Sequence, residues 1–275
     1  GWGLYSKEIA ENLRYMREEL FPPMVEALHK LGGIPIKPIL AESMQMGDEN
    51  HTRQTACDYI YDRLMLPALF ELDRPKKEIM KTVRYIVDTP RFFHCYGQAA
   101  ARAALVAADG TEYSTMVTAV CGNGVEFASL PGQWFTAPAP MMKGRYTSSE
   151  FTEKDQLPWM GDSCVVECYG MGGFAAAASP IVCNLRGMTL KESIGQTKEM
   201  YRITMEKNYN FPIPNLDFDF LPVGIDIRKV LKEGVCPAIH GGMFNRVGGL
   251  IGAGMARVPM QCFEKALVAF GEKYL

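Results

Sequence analysis

The chain has 275 residues, 48% of them apolar and 22% charged, with a formal net charge of −2. That balance belongs to a globular protein, long enough for one large domain or two small ones and able to bury its core without staples. It excludes a nucleic-acid partner, because no Lys/Arg run supplies a positive face for phosphates, and no apolar run reaches the length of a membrane span. No signal peptide opens the chain, so a cytoplasmic protein is expected. The start, Gly1-Trp2-Gly3 without Met, reads as a trimmed or incomplete N-terminus. Eight cysteines lie scattered in apolar surroundings, the pattern of reduced, buried thiols rather than of a disulfide framework or a zinc site.

Apolar residues recur at helical spacing over Ser6–Leu31, with a break or kink at Pro22-Pro23 and a stop at Gly32-Gly33. A short extended piece, Ile34–Ile39, follows. Helices are predicted over Asn50–Leu72, where Pro67 kinks or divides the run, over Lys76–Val87, and from Thr89-Pro90 through Ala108. After Gly110 the spacing changes. Ser114–Cys121, Val125–Leu130, Gln133–Thr136 and Ser163–Tyr169 read as strands. Helices return at Phe174–Leu185 and Leu190–Lys207, then Pro- and Asp-rich loops run from Asn208 to Pro222. Ile225–Glu233 is a short helix ending at Gly234, and a Gly-rich stretch, Gly241–Gly254, leads to a last helix over Pro259–Leu275. The expected class is α+β: residues 1–40 as a helix and linking strand, 41–110 as a helical subdomain, and 111–275 as a mixed α/β domain round a sheet.

Four Gly-containing segments carry polar residues where backbone can approach a ligand. In Met46–Arg53, Asp48 suits an N-cap. Glu49, His51 and Arg53 then fall in a first helical turn whose free amides favour an anion; the same pattern also suits a plain capped helix with a local Arg–Glu pair. Cys121-Gly122-Asn123-Gly124 is either an ordinary hairpin turn or a backbone nest with the Asn123 amide at its rim. Gly161–Phe174 places Asp162, Ser163 and Glu167 before the glycines Gly170, Gly172 and Gly173; Glu167, in an apolar run, needs a partner or a proton if buried. The window His240–Gly254 holds six glycines with His240, Asn245 and Arg246. His240 is either a packed core residue or a catalytic one, and Cys236-x3-His240 is too weak a pattern for a metal. No nucleophile elbow, P-loop, H-E-x-x-H or C-x-x-C is present. The residues by themselves lead to an anion-binding α+β protein, expected to be an enzyme.

Taken together and in order, these segments resemble the YlbE-like family, the large-subunit family of oxamate carbamoyltransferase (AllG type), long carried as a domain of unknown function. The match rests on Met46-Gly47-Asp48-Glu49 with His51 and Arg53, Asn123-Gly124, Trp134–Pro138, Gly161-Asp162-Ser163, Glu167, Gly170–Phe174, Gly224–Arg228, and Gly252–Gly254 with Cys262-Phe263. Members usually carry a further N-terminal α/β region, which this chain lacks as given. The resemblance implies an α+β architecture with a small helical subdomain and a role in fermentative allantoin breakdown. The enzyme in question moves a carbamoyl group between oxalurate and phosphate, giving oxamate and carbamoyl phosphate. Its substrates are small anions, its reaction passes through a tetrahedral oxyanion, and no cofactor, metal or covalent intermediate is required.

In this picture Asp48, Glu49, Arg53, Asn123, Ser163, Gly172, Gly173 and Asn245 bind substrate, with Arg53 gripping a carboxylate or phosphate. His51 or His240 polarises the carbonyl or relays a proton, and Asp162 and Glu167 orient these groups or receive a proton. Partner subunits and a homo-oligomer are expected. The other reading is a non-catalytic scaffold or small-anion-binding subunit of a complex. Related members have Arg where this chain has Gly122, a longer segment after Phe127, and a His near Met243–Asn245, which leaves room for another ureido acid as substrate.

Overall fold

The computed structural model describes residues 4–159, 161 and 163–275. Asp162, expected at the site, lies outside the described residues. The chain is α+β. Among the described residues six α-helices come first: α1 (Lys7–Tyr15), α2 (Phe21–Leu31), α3 (Ile36–Gln45), α4 (Thr55–Phe70), α5 (Lys76–Asp88) and α6 (His94–Val106). A single π turn, Met16–Leu20, joins α1 to α2 just before Pro22, so the helical path continues through the expected break. Gly32, at φ 70°, closes α2 with the left-handed residue that a helix C-terminus favours. Residues 34–39 are not extended. Pro38 falls in the first turn of α3, where the missing N–H has no partner to lose, and the helix forms over it.

The strands of the described residues form three small antiparallel sheets. β1 (Val117–Cys121), β2 (Gly124–Phe127) and β3 (Phe135–Thr136) make one in that order; β4 (Lys143–Tyr146), β8 (Leu250–Arg257) and β7 (Ala238–Phe244) make another; β5 (Thr204–Ile213) and β6 (Asp219–Ile225) make a two-stranded ribbon. The β1–β2 turn is Gly122-Asn123, one residue before the Asn-Gly pair, since Cys121 already faces Gly124. Residues 208–222 are thus largely strand, with Pro212 beside a register shift and Pro222 opposite Lys207. Four of the glycines of 241–254 are strand residues too, Gly241 pairing with Gly254 and Gly242 with Ala253, while Gly248 and Gly249 form the turn at φ 95° and 91°.

Ser163–Tyr169 is not a strand. Val165–Cys168 is one helical turn, α7, followed by a 3-10 segment, Gly172–Ala178, and by α8 (Pro180–Leu185) and α9 (Leu190–Met200). α10 (Ile227–Glu233), ending at Gly234, and α11 (Met260–Tyr274) complete the chain.

Two apolar clusters form the interior. One joins α2–α6 with Val166, Met171, Ala175 and the β5–β6 ribbon; the other joins the two three-stranded sheets with α10, α11, Cys164, Cys168 and Phe174. Successive residues of α7 and the 3-10 segment therefore enter different clusters. Glu167, between Val166 and Cys168, lies at the seam and is wholly buried there.

Candidate active site

The loop before α4 is folded by its own acidic residues. Gly47 (φ 99°) and Asn50 (φ 64°) take left-handed conformations, and the Asn50 side chain is fixed by Ser43 and by the Leu40 carbonyl. Asp48 is not the N-cap residue; Gln54 is. Asp48 still caps the helix from a distance, its Oδ2 accepting from the Ala56 and Cys57 amides at 2.8 and 2.9 Å. Its Oδ1 accepts from Arg53 Nη1 at 2.8 Å. Burial raises the Asp48 carboxyl to about 6, against the pull of those donors. Glu49, also buried, accepts from the amides of His51, Thr52 and Arg53. The amides expected to await an anion are thus already taken.

This folding turns His51 inward at the seam. Its Nδ1 lies 2.7 Å from Glu167 Oε1 and its Nε2 lies 2.8 Å from Ser163 Oγ. The backbone decides the direction of both bonds. Glu167 Oε1 also accepts from the Gly173 amide at 3.1 Å and the His240 amide at 3.0 Å. An oxygen receiving two amide protons is an acceptor toward the ring as well, so any proton on this carboxyl belongs on Oε2. His51 Nδ1–H then donates to Glu167, and Nε2 offers its lone pair to the Ser163 hydroxyl. Complete burial pushes Glu167 well above the ordinary carboxylate range, while the two amides and Arg186 act against that shift. Gly172 and Gly173 permit this approach: a Cβ on Gly172 would sit 2.1 Å from Glu167 Oε1, and one on Gly173 2.0 Å from the Ala238 carbonyl.

His240 is placed differently from its expected role. It is fully buried, and Gln196 Nε2 donates both to the Gly173 carbonyl and, at 3.0 Å, toward His240 Nε2. That fixes the proton on Nδ1, which faces Glu49 Oε1 at 4.0 Å. Burial, then the Arg186 charge, lowers its pKa well below the usual range, so it is a neutral interior imidazole. Arg186, 7% exposed, donates to the Thr52 hydroxyl, and burial lowers it to about 10. Glu49 and Glu167 are the acidic side chains that act on it.

Ser163 and His51 open onto a cavity of about 650 Å³. Its apolar wall includes Leu157, Trp159, Phe244 and Leu250, and its polar wall includes Thr52, His94, Gln98 and Asn245, with Arg91 and Arg246. Arg91 is held at φ 63° by Asp58, which accepts from its amide and from that of Phe93. His94 stacks on His51 with ring centroids 5.9 Å apart. Asn245 reaches the wall while its Oδ1 accepts from the Val247 amide to close the β7–β8 turn.

Of the expected residues, His51, Ser163 and Asn245 therefore line the cavity, and Glu167 stands directly behind. Asp48, Glu49, Gly172, Gly173 and His240 form the buried support. Arg53 is not in the cavity wall; it pairs with Asp48. Asn123 is one layer away, its amide on the Ala137 carbonyl, and the Gly122 amide donates to the Gly161 carbonyl. A Cβ on Gly122 would lie 2.4 Å from the Trp159 carbonyl oxygen, so a side chain there and Trp159 in its present place exclude each other. Arg186, Thr52, Trp159, Arg91 and His94 were not singled out from the sequence. No spacing rule marks them, because their place at the site is set by tertiary packing. No group of three or more metal-ligating side chains occurs among the described residues, and no helix there is long and apolar enough to cross a membrane.

The sequence matches the model of the family described as oxamate carbamoyltransferase subunit AllG over residues 1–163. It is 34% identical over 278 positions to the Escherichia coli K12 protein named "Uncharacterized protein YahG", covering 99% of this chain and 59% of that one. It is 33% identical over 279 positions to the oxamate carbamoyltransferase subunit AllG of the same organism, covering 98% and 66%. Its fold superposes with a TM-score of 0.95 and 33% identity on the crystal structure of a conserved protein of unknown function from Enterococcus faecalis V583, covering 98% of this chain and 66% of that one. The chain thus spans 59% and 66% of the lengths of the two curated relatives.

Proposed function

Since the chain belongs to the oxamate carbamoyltransferase subunit AllG family, we propose that it is the carbamoyl-transferring part of such a subunit. It acts on a small ureido acid of the oxalurate type, with phosphate as the other reactant and oxamate and carbamoyl phosphate as products, in allantoin-type nitrogen catabolism. The observation that carries this reading is the hydrogen-bonded series Ser163–His51–Glu167 ending at the cavity. Carbamoyl transfer needs a group that moves a proton between the entering and leaving atoms, and donors for the oxyanion that forms between them. His51 Nε2 is the proton carrier, poised by Glu167. Arg91 and Arg246 give the wall the positive charge that a carboxylate or phosphate requires, while Trp159, Phe244 and Leu250 keep that charge in a partly dry setting. His240, Glu49 and Arg186 hold this frame in place instead of touching the substrate. Residues 41–110 serve as a helical subdomain carrying the His51 loop, and residues 111–275 supply Ser163, Glu167 and the far wall. Partner subunits and further copies of the chain complete the enzyme.

The test is phosphate-dependent cleavage of oxalurate by the full-length protein with its partner subunits. Release of oxamate is expected, with Arg246→Ala raising KM for the anionic substrate more than it lowers kcat. Turnover unchanged by His51→Ala would favour a subunit that binds small anions without performing chemistry.

A further inference from the structure

We propose that Ser163 is a catalytic nucleophile that takes the carbamoyl group onto its Oγ, so that transfer runs through a carbamoyl-serine. Three observations converge on it. The two amide donors on Glu167 Oε1 fix His51 with its proton on Nδ1, which leaves Nε2 as the base facing the Ser163 hydroxyl at 2.8 Å. The exposure is graded in the matching sense: Glu167 0%, His51 4%, and Ser163 half-buried at the cavity wall. The serine stands one residue ahead of Cys164, the N-cap of α7, so its hydroxyl lies outside the cap and bonds the imidazole. Neighbouring thiols are poor competitors: Cys164 and Cys168 are fully buried, which drives both thiols upward, and Cys164 donates to the Val120 carbonyl.

The carbamoyl donor in this scheme rests on the function proposed above. Oγ attacks the ureido carbonyl, the Oγ–C bond forms and the Oγ proton passes to His51 Nε2. The C–N bond to oxamate then breaks, and the departing amide nitrogen receives that proton. A phosphate oxygen attacks the carbamoyl-serine, and the C–Oγ bond breaks. His51 takes the proton of the entering phosphate and returns one to Oγ, releasing carbamoyl phosphate. No oxidant or further reactant is needed.

The nucleophile is tested with p-nitrophenyl N,N-dimethylcarbamate, which donates a carbamoyl group with loss of p-nitrophenolate. Full-length protein is treated and its peptides are mapped by mass spectrometry. One dimethylcarbamoyl group per chain is expected on Ser163. It should be absent in Ser163→Ala and slowed about 100-fold or more in His51→Ala. Glu167→Gln, which keeps the volume and the acceptor for the two amides, should slow labelling as well if His51→Ala fails to fold. No label on the wild type, a label on another residue, or an equal label on Ser163→Ala overturns the proposal. Phosphate-dependent oxalurate cleavage is measured in parallel. A wild-type rate in Ser163→Ala removes the covalent step and leaves the proposed function standing. Labelled Ser163 without any oxalurate cleavage supports the nucleophile and removes the oxalurate reading.

Discussion

The loop Gly47–Gln54 and the hairpin of β7 and β8 both combine glycine with charged or amide side chains, yet they are used in opposite ways. Three of the loop's own amides, those of His51, Thr52 and Arg53, and two from the first turn of α4, Ala56 and Cys57, go to the buried carboxylates of Asp48 and Glu49. The loop is closed upon itself, and only His51 and Thr52 reach the cavity. In the hairpin the backbone is paired across the strands, and the glycines make room: a Cβ on Gly241 would lie 2.9 Å from Trp159 Nε1. Neither segment therefore keeps a row of amides for an anion. Glycine marks close approach in both, and what can hold a charged substrate is the set of side chains at the wall. A nearby acidic residue decides whether a glycine-rich loop is a site or its support.

The largest expected effect falls on the cavity side. His51→Ala should lower kcat by about 10²–10⁴-fold, the range for losing a positioned acid–base group, with a smaller change in KM. Steady-state rates of the full-length enzyme decide it. If kcat stays within a few-fold while stability falls, His51 belongs with the closed loop and the contrast between the two regions fails.

The support should yield stability effects instead. Arg186→Met removes the buried cation beside Glu49 and Glu167, and losing one partner of a buried ionic group typically costs about 3–5 kcal/mol. The urea midpoint should fall accordingly. A loss below about 1 kcal/mol would mean that the amides alone neutralise those carboxylates.

The sequence carried some of this and concealed the rest. Amphipathic spacing marks α5, and glycines end α2 and α10, because these signals are local. The β5–β6 ribbon was hidden by Asn and Pro, which a two-stranded ribbon tolerates because each strand has an unpaired edge and the pair carries a bulge. Val165-Val166 suggested a strand, but their place at the meeting of two apolar clusters makes a single helical turn. At the site, His51, Ser163, Glu167 and Asn245 were legible as polar residues in Gly-containing contexts. That Arg53 turns toward Asp48 was not, since Asp48 and Arg53 are equally consistent with a ligand site and with each other. Arg186 sits before Gly187 at a helix end, which reads as solvated surface; only packing against the His51 loop buries it.

Asp48 allows a test through pH. Its carboxyl stands at about 6 in the fold against an ordinary 3.8. Between these values the native state holds a proton that the unfolded chain has lost. The contribution is therefore complete below about pH 4 and is lost as the pH rises through about 6, by about 3 kcal/mol at most. Asp48→Asn lacks this titration. The stability of the wild type relative to Asp48→Asn should thus decline from pH 4 to pH 7 in urea unfolding. A relative stability that grows with pH would show that Arg53 and the two amides outweigh burial and keep the carboxylate charged.

The smallest effect is expected for catalysis in Arg53→Ala, and it separates the two regions most sharply. Arg53 resembles a substrate clamp in sequence, but its guanidinium is hydrogen-bonded to Asp48 and absent from the cavity wall. Removing it leaves Asp48 buried without its cation, which should cost about 2 kcal/mol of stability, the scale of a hydrogen bond to a charged group. The cavity groups are untouched, so KM and kcat should stay within about twofold at a temperature where the variant is folded, well under the ~1.4 kcal/mol that a tenfold change represents. Arg246→Ala, measured beside it, should show the reverse pattern, with stability nearly unchanged and KM raised. A substrate clamp at Arg53 would give itself away as a rise in KM of tenfold or more with little loss of stability. That result would mean the loop opens when substrate binds, and the division between closed support and open wall would have to be redrawn around Asp48.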